Sequence, residues 1–363
     1  MKFFASIILI FISVGLWAQA PKYSNEFMNI GVGAQALGMS NSVVASAKGV
    51  TAGYWNPAGL VNTPKPFQVA LMHSEYFAGL AKFDYGAFSS KIDSSSSFGF
   101  TLLRFGVDNI PNTTELIDNN GNINYDRITS FSAADYGFLF TYARKSKIEG
   151  LNYGANVKII YRKVGSFAKA YGFGLDAGVQ YKHNKWLFGA MARDITSTFN
   201  AWSYTLTDRV KEVFIQTGNE IPTNGLEITL PRLILGVNRM VTLTKKINFN
   251  AEVNFDATFD GMRNVLIKSN TLSIDPHVGI EFSYAGLFYI RGGVGNFQEV
   301  KDIYQNTDWT FQPNFGVGVK YKGVRLDYAL TDIGDVSVGL YSNVFSLQFD
   351  INKLSQNNAN TSQ

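Results

Sequence analysis

The sequence predicts an all-β protein, a 14-stranded antiparallel transmembrane β-barrel with an N-terminal hatch of short helices in its lumen. Three observations predict it: an export signal, hydrophobic alternation with a period of two, and connections that alternate between long and short. Of the 363 residues, 46% are hydrophobic and 17% are charged, whereas ordinary soluble domains carry about 25% charged residues. The chain has no cysteine and a formal charge of +4, so neither a disulfide scaffold nor a nucleic-acid-binding surface is indicated.

Residues 1–20 have the pattern of a secretory signal peptide. Lys2 precedes an uncharged apolar stretch at 3–18, and the small residues Ala18 and Ala20 follow, which is the order of an export signal. Cleavage after Ala20 fits the A-x-A pattern, but Pro21 would then follow the cleaved bond, so cleavage after Ala18 is the alternative. Since no later apolar stretch approaches the length of a spanning helix, we expect strands to carry the chain through the bacterial outer membrane.

Strands are predicted where apolar side chains alternate with polar or small ones. Over residues 171–182, Tyr171 and Phe173 belong to an apolar face, while Asp176 and Gln180 belong to the opposite face. A period of two is that of a strand rather than a helix. Fourteen such segments are predicted, at 67–76, 82–91, 95–106, 133–145, 150–165, 168–182, 185–195, 228–242, 246–259, 272–284, 287–297, 310–322, 324–334 and 341–352.

The connections between these segments give a second, independent signal. The long connections, at 107–131, 197–226, 260–271 and 298–309, all fall at one end of an up-and-down barrel. The other end has only tight turns, and the connection at 166–167 is the one short link at the long-loop end. Outer-membrane barrels have this asymmetry. The predicted barrel covers residues 67–352, and residues 353–363 form a polar tail that we expect to be disordered.

Residues 21–66 lack alternation and are rich in small and turn-forming residues. We predict that they form a compact hatch of short helices in the lumen, because side chains alone do not fill the space inside fourteen strands. A flexible periplasmic tail is the alternative.

Two runs in this segment resemble a known family. FMNIGVGAQALGM at 27–39 and TAGYWNPAGL at 51–60 are similar to the N-terminal hatch of the PorV/PorQ family, a branch of the FadL-like fourteen-stranded barrels of Bacteroidota. The matching hatch residues are Gly31, Gly33, Leu37, Gly38, Trp55, Asn56, Pro57, Ala58 and Gly59. The match is confined to motifs within residues 24–60. It departs from the family at residues 40–41 and 47–48, where relatives commonly have glycine and acidic residues.

The resemblance implies a role in type IX secretion. Such a protein would act beside a large outer-membrane translocon barrel and would bind or shuttle the C-terminal signal domains of cargo at the outer face. The fold allows an alternative, a FadL-like channel for uptake of hydrophobic small molecules, which predicts an apolar lumen pocket and a lateral opening between strands. Both functions place the chain in the lipid bilayer, and neither implies a nucleic-acid partner or a cofactor.

Candidate functional residues follow from the predicted faces. The candidate lumen residues either line a passage or anchor the hatch; they are Asn156, Lys158, Asp176, Gln180, His277 and Glu281. The candidate partner-binding loop, 197–226, has an apolar content unusual for a solvated loop, including Trp202, Tyr204, Phe214 and Ile215. The three histidines are scattered without metal-ligand spacing, and no nucleophile elbow occurs, so we expect neither a metal site nor an enzyme.

Overall fold

The computed structural model describes residues 24–77, 79–118, 121–301, 304, 306–331 and 342–352. The predicted signal peptide, residues 1–20, and the predicted tail, residues 353–363, lie outside the described residues. The strands are β1 Phe67–Tyr76, β2 Ala81–Lys91, β3 Ser96–Asn112, β4 Thr129–Lys145, β5 Leu151–Val164, β6 Ala168–His183, β7 Trp186–Arg193, β8 Thr198–Tyr204, β9 Gly225–Thr229, β10 Arg232–Thr242, β11 Ile247–Thr258, β12 Ile267–Lys268, β13 Ser273–Tyr284, β14 Phe288–Lys301, β15 Thr307–Tyr321, β16 Val324–Thr331 and β17 Ser342–Ile351.

Fourteen antiparallel wall strands close into a barrel. Neighbours in sequence pair with each other, and β1 pairs with both β2 and β17, which leaves no free edge. The remaining short strands β8, β9 and β12 extend the wall at the end with long connections. All fourteen predicted segments coincide with wall strands, so the predicted fold class is confirmed; residues 332–334 and 341, at predicted strand ends, lie outside the described residues.

The alternation predicted from the sequence is the alternation between the outer and inner faces of the wall. On β6, Tyr171 and Phe173 are exposed on the outer face, whereas Asp176 and Gln180 are buried on the inner face. A shift of one residue in the register of β5 would turn Lys158 toward lipid, at a penalty of about 2–4 kcal/mol for a lysine near the bilayer midplane. The register is therefore strongly specified.

Several strands are longer than predicted at the long-loop end. β3 continues to Asn112 and β4 begins at Thr129, so the connection predicted at 107–131 is shorter. The pairing of β3 with β4 shifts between Val107 and Ile110, and Asn109 has a left-handed φ of 56°. This bulge interrupts the alternation on which the prediction relied. Likewise, β14 and β15 occupy most of the connection predicted at 298–309.

The prediction of one long loop at 197–226 is wrong. β8 pairs with β6, and β9 pairs with β8, so both strands continue the wall. Helix α3, Asp208–Gln216, lies between them. The helices nearer the N terminus are α1 Ala34–Leu37 and α2 Ala52–Trp55, with 3₁₀ turns at Glu26–Met28, Gly49–Thr51 and Pro57–Asn62.

Among the described residues, no helix has both the length and the apolar character needed to cross a membrane.

Candidate functional site

Residues 24–63, called the hatch below, lie inside the barrel, as the predicted fold class required. On one side, apolar hatch side chains pack against the inner faces of β1 to β5, β16 and β17 and form the main hydrophobic core. This core includes Val32, Met39, Val50 and Tyr54 from the hatch, and Met72, Phe83, Leu103 and Leu139 from the wall. Because such burial is favourable, at about 25 cal/mol per Å² of apolar surface, this contact holds the hatch against one half of the wall.

Inward-facing glycines let the hatch approach the opposite half of the wall. A Cβ on Gly279 would lie 2.5 Å from the Met39 carbonyl oxygen, and one on Gly189 would lie 2.5 Å from that of Val44. Other wall glycines at which a Cβ would come within 3.0 Å of a hatch atom are Gly178, Gly236 and Gly293 on the same half, and Gly154 on β5. The strand faces that carry these glycines therefore leave room for the hatch backbone.

The first hatch run forms tight turns that close against the second. The Gly31 N–H donates to the Tyr54 hydroxyl at 3.0 Å, and Gly31 has a left-handed φ of 99°. The Trp55 indole N–H donates to the Val32 carbonyl at 2.9 Å. The other predicted residues of this run are also in the hatch: Gly33 precedes α1, Leu37 ends it, and Gly38 follows it against Gly316 of β15.

In the second run, Asn56 binds both the hatch and the wall. Its side-chain Nδ2 donates to the carbonyls of Val44 at 2.9 Å and of Val179 on β6 at 3.1 Å. Its Oδ1 accepts from the Ala58 N–H at 3.2 Å and caps the 3₁₀ turn that Pro57 begins. The remaining residue, Gly59, packs so closely on Ala47 that a Cβ would lie 2.0 Å from its carbonyl oxygen.

The hatch forms direct hydrogen bonds with the candidate lumen residues Gln180, Asn156 and His277. Gln180 donates to the Ala47 carbonyl at 2.9 Å, and Asn156 donates to the Gly53 carbonyl at 2.9 Å. His277 contacts Ser42 at 3.0 Å through Nδ1 and Asp256 at 3.1 Å through Nε2. The structure therefore gives these three residues an anchoring contact.

Glu281 belongs to an ionic network on the inner wall. Arg291 donates to Glu281 at 2.7 Å and also pairs with Asp327 at 2.9 Å. Arg325 pairs with Asp327 at 2.8 Å. The network reaches the hatch through Gln35, whose Nε2 lies 3.4 Å from Glu281. Each buried charge here has a partner of opposite sign, as burial requires.

Lys158 and Asp176 lie where the wall is interrupted. β7 and β8 together form one wall strand that breaks at residues 194–197, opposite the middle of β6. There the Asp194 N–H donates to the Asp176 carboxylate at 2.9 Å rather than to a backbone carbonyl. The buried Lys158 ammonium pairs with Asp176 at 2.8 Å and also with Asp194. Side chains therefore replace part of the backbone ladder at this break, called the wall break below.

Three further inward-facing residues anchor the hatch, and two of them, Arg193 and Gln68, were not predicted from the sequence. The Arg193 guanidinium donates to the Tyr54 carbonyl at 3.1 Å and lies 4.6 Å from the Tyr54 ring centroid. Gln68 accepts from the Val50 N–H at 2.9 Å. Glu252 accepts from the N–H groups of Ala45 at 2.7 Å and Ser46 at 3.1 Å. The side chains of all three lie on the inward face of their strands, and this alternation of faces is the sequence signal that identifies them.

The hatch divides the lumen into two cavities. The upper cavity, about 700 Å³, opens toward the long-loop end and has mainly polar walls, including Arg193, Arg232, Asp256 and His277. The lower cavity, about 750 Å³, lies at the end with tight turns and includes the more apolar Tyr181, Leu187, Met240 and Tyr289. The upper cavity is therefore not the predominantly apolar pocket expected of a hydrophobic-molecule channel, since its charged and amide side chains outnumber apolar ones such as Trp55 and Ile234.

Lys48 projects from the hatch into the lower cavity. The Lys48 side chain is exposed to this cavity, but the surrounding hatch and wall partly desolvate its ammonium and lower its pKa from the usual 10.5, while the Glu281 carboxylate acts in the opposite direction. The hatch therefore carries an ammonium group that would be better solvated outside the barrel.

The four candidate partner-binding residues do not form one exposed patch. Trp202 and Tyr204 lie half-buried on β8, and the Trp202 indole donates to Glu227 at 2.7 Å. On α3, Phe214 is half-buried, and Ile215 is 67% exposed. The helix contacts the other long loop, because Arg209 donates to the carbonyl of Ile117.

In the described part of the chain, no group of three or more potential ligands is arranged to hold a metal ion. The fold and the closed wall define an outer-membrane-type β-barrel whose lumen is filled by its own N-terminal segment.

No protein-family model matches the chain, and a search of curated proteins found no match either. Solved structures do match. The Pseudomonas putida toluene transporter TodX has a TM-score of 0.54 and 15% identity, covering 89% of this chain and 99% of TodX. The Ralstonia pickettii toluene transporter TbuX has a TM-score of 0.53 and 15% identity, and the match covers 88% of this chain and 98% of TbuX. A Pseudomonas aeruginosa FadL homologue has a TM-score of 0.52 and 11% identity, and the match covers 88% of this chain and 98% of the homologue. The chain therefore has a FadL-like barrel fold.

Proposed function

We propose that this chain is an outer-membrane channel for uptake of small hydrophobic molecules, gated by its hatch. The observation that carries the proposal is the division of a closed barrel into cavities of about 700 and 750 Å³ on either side of the hatch. Pockets for small molecules range from about 300 to 1,000 Å³. The structural neighbours support it, since TodX and TbuX are named toluene transporters and CymD a monoaromatic hydrocarbon channel.

The wall break provides a candidate lateral exit for such molecules. Two small cavities of about 20 Å³ each adjoin it, and both are lined by Asn29 of the hatch and by Asp194 and Thr229 of the wall. Ile195, in the break itself, is exposed on the outer surface. A modest displacement of the hatch near Asn29 would join these spaces to the upper cavity, whose lining includes the same residue.

The polar walls of the upper cavity bear on the substrate class. Arg232 pairs with Asp256 at 3.6 Å, and His277 contacts Asp256 at 3.1 Å, but the buried oxygens Asn41 Oδ1 and Asp275 Oδ1 in the lining of this cavity have no hydrogen-bond partner among the described residues. An apolar molecule that carries a polar group would satisfy such walls better than a bare hydrocarbon, because unpaired buried polar groups are costly. We therefore place amphipathic small molecules ahead of plain hydrocarbons within the proposed class.

Deletion of the gene, with two readouts in the same strain, tests the proposal. Uptake of radiolabelled toluene and of a labelled medium-chain fatty acid is measured beside secretion of proteins to the cell surface. We expect the deletion to reduce uptake of at least one compound, the wild-type gene to restore it, and secretion to be unchanged. Normal uptake of both compounds in the deletion strain would overturn the proposal.

A second candidate function is that of a partner of the type IX secretion translocon. It is favoured by the hatch runs at 31–39 and 55–60, and by apolar side chains exposed on two outer loops that touch each other. These exposed side chains are Ile117, Ile123 and Tyr125 in the connection between β3 and β4, and Ile215 on α3 in the connection between β8 and β9. Contiguous exposed apolar surface commonly marks a protein-binding site. The partners would be the large translocon barrel and cargo C-terminal domains.

A pull-down from native outer membranes tests this second function. Tagged wild-type protein should bring down a much larger outer-membrane barrel or cargo C-terminal domains, and an Ile215→Ser variant should bring down less. A matched control is Ile195→Ser, which changes an exposed isoleucine on the wall rather than on the loops. If the tagged wild-type protein brings down neither partner, the translocon function fails.

A further inference from the structure

The outer surface of strands β3 to β6 carries three successive levels of side chains toward the long-loop end. The lowest level is apolar, and its cross-strand neighbours are Leu102, Phe138, Ile159 and Phe173. The next level consists of Arg104, Tyr136, Tyr161 and Tyr171. Tyrosines at this position are typical of the aromatic girdle at the boundary between hydrocarbon and head groups. The level above the girdle therefore lies at head-group depth.

At that third level, two lysines face each other directly. Lys163 of β5 and Lys169 of β6 are cross-strand partners, and both are exposed. Like charges directly opposite one another on a sheet are destabilising. No carboxylate among the described residues forms an ion pair with either lysine, whereas Lys82, on the same outer surface, pairs with Asp108 at 3.3 Å. The paired lysines thus form an unneutralised positive site.

A recess adjoins the lysines on the same surface. Its volume is about 660 Å³, and its lining combines Lys163 and Arg104 with Phe131, Tyr136, Phe138 and Tyr161. Arg104 is held in place by Asp84, at 3.1 Å. The connection above the lysines, between β5 and β6, is only three residues long. The recess therefore has Lys163 and Asp108, the partner of Lys82, toward its upper rim, and Arg104 lies below them among aromatic rings.

We propose that this surface binds a phosphorylated lipid of the outer leaflet. Its phosphate would lie between Lys163 and Lys169, and an acyl chain would lie along Tyr161 and Phe138. A lipid fits three features of this surface: its positive charge, its position at head-group depth, and the order of its side chains from lysine through aromatic to apolar. A soluble phosphate would use only the lysines. The proposal depends on the membrane location and orientation of the barrel and not on what passes through the lumen.

Native mass spectrometry of the detergent-solubilised full-length protein tests the proposal. Bisphosphorylated lipid A is the probe, with dephosphorylated lipid A and inorganic phosphate as comparison ligands. The double variant Lys163→Gln/Lys169→Gln removes the site. The matched control, Lys245→Gln/Lys246→Gln, removes two exposed adjacent lysines in a turn at the opposite end of the barrel. Heat-dependent migration in gels verifies that both variants are folded.

We expect the site variant to bind bisphosphorylated lipid A about 25-fold more weakly, since each lysine near an anionic surface contributes about fivefold. The control should bind it as the wild type does, and dephosphorylated lipid A should bind weakly to all three proteins. Uptake of small molecules should be the same in the site variant and the wild type, so failure here is distinguishable from failure of the channel proposal. Equal lipid binding by the site variant and the wild type would overturn the inference, as would competition by inorganic phosphate at concentrations equal to those of the lipid.

Discussion

Replacement of Asn56 by alanine should release the hatch while leaving the barrel folded. The Asn56 side chain is fully buried and makes four neutral hydrogen bonds, donating to the Val44, Val179 and Ala190 carbonyls and accepting from the Ala58 N–H. The bonds with Val44 and Ala58 hold the hatch to itself, and those with Val179 and Ala190 hold it to β6 and β7. None of the four is part of the backbone pairing between wall strands.

The expected magnitude follows from these bonds. A neutral hydrogen bond contributes about 1 kcal/mol net, so the two bonds to the wall contribute about 2 kcal/mol. Since 1.4 kcal/mol is about tenfold in an equilibrium constant, the displaced hatch should become about thirtyfold more populated. The small cavity left by the shorter side chain adds to the destabilisation.

Single-channel recording in planar bilayers measures this population. With the hatch displaced, fourteen strands enclose a space that side chains do not fill, so ions pass. We expect brief, rare openings for the wild type and a large increase in open time for Asn56→Ala. The matched control is Asn250→Ala, because Asn250 lines the lower cavity and its buried Oδ1 has no hydrogen-bond partner among the described residues. Equal open times for Asn56→Ala and the wild type, or an equal increase in the control, would refute the reasoning.

Three further predictions concern other contacts of the hatch and wall. Gly279→Ala places a Cβ 2.5 Å from the Met39 carbonyl oxygen and should destabilise hatch docking by about 1–3 kcal/mol through overpacking. Amide hydrogen exchange in the hatch should therefore be faster in this variant. It should be unchanged in the control Gly292→Ala, whose Cβ meets nothing closer than 4.0 Å. Lys158→Met leaves the two carboxylates of the wall break without their cation and should lower stability by about 3–5 kcal/mol in urea unfolding; an unchanged midpoint would contradict the pairing. Lys48→Met should stabilise the protein at neutral pH, because the folded-state pKa of Lys48 lies below 10.5. The increase in the free energy of unfolding should be complete below the folded-state pKa and should vanish as the pH rises to 10.5. An increase that does not depend on pH would contradict the lowered pKa.

The strand pattern was predictable because it is local. Each wall strand, such as β6, meets lipid on one face and the lumen on the other, so its own sequence records both environments. The alternation of strand faces correctly identified Asn156 and Gln180 as inward-facing. It also places Arg193 and Gln68 on the inner face, but these two residues were not predicted. Their partners were not predictable, because they are backbone atoms of a hatch whose small residues have no repeating pattern.

The predicted strand boundaries were wrong where the wall departs from regular strand pairing. The bulge at Asn109 and the break at 194–197 shift the alternation, so β8 and the upper part of β3 were taken for loops. Both contain residues with left-handed φ, including Asp194 and Ser197. Such positions are set by contacts distant in sequence, in this case the cluster of Lys158 with Asp176 and Asp194. Consequently Trp202 was assigned to the candidate partner-binding loop although it lies on β8 in the extended wall.

Closure of the barrel by its own N-terminal segment is tested most directly by an engineered disulfide between hatch and wall. A Cβ on Gly53 would lie 3.8 Å from the Thr141 Cβ on β4, which is about the mean Cβ–Cβ separation in disulfides. The sequence has no cysteine, so Gly53→Cys/Thr141→Cys has a single possible pairing within the chain. Peptide mass spectrometry of the variant from native outer membranes should find these two peptides linked, and should find no link in Gly53→Cys/Gly292→Cys. Unlinked peptides from folded Gly53→Cys/Thr141→Cys would place residues 24–63 outside the lumen.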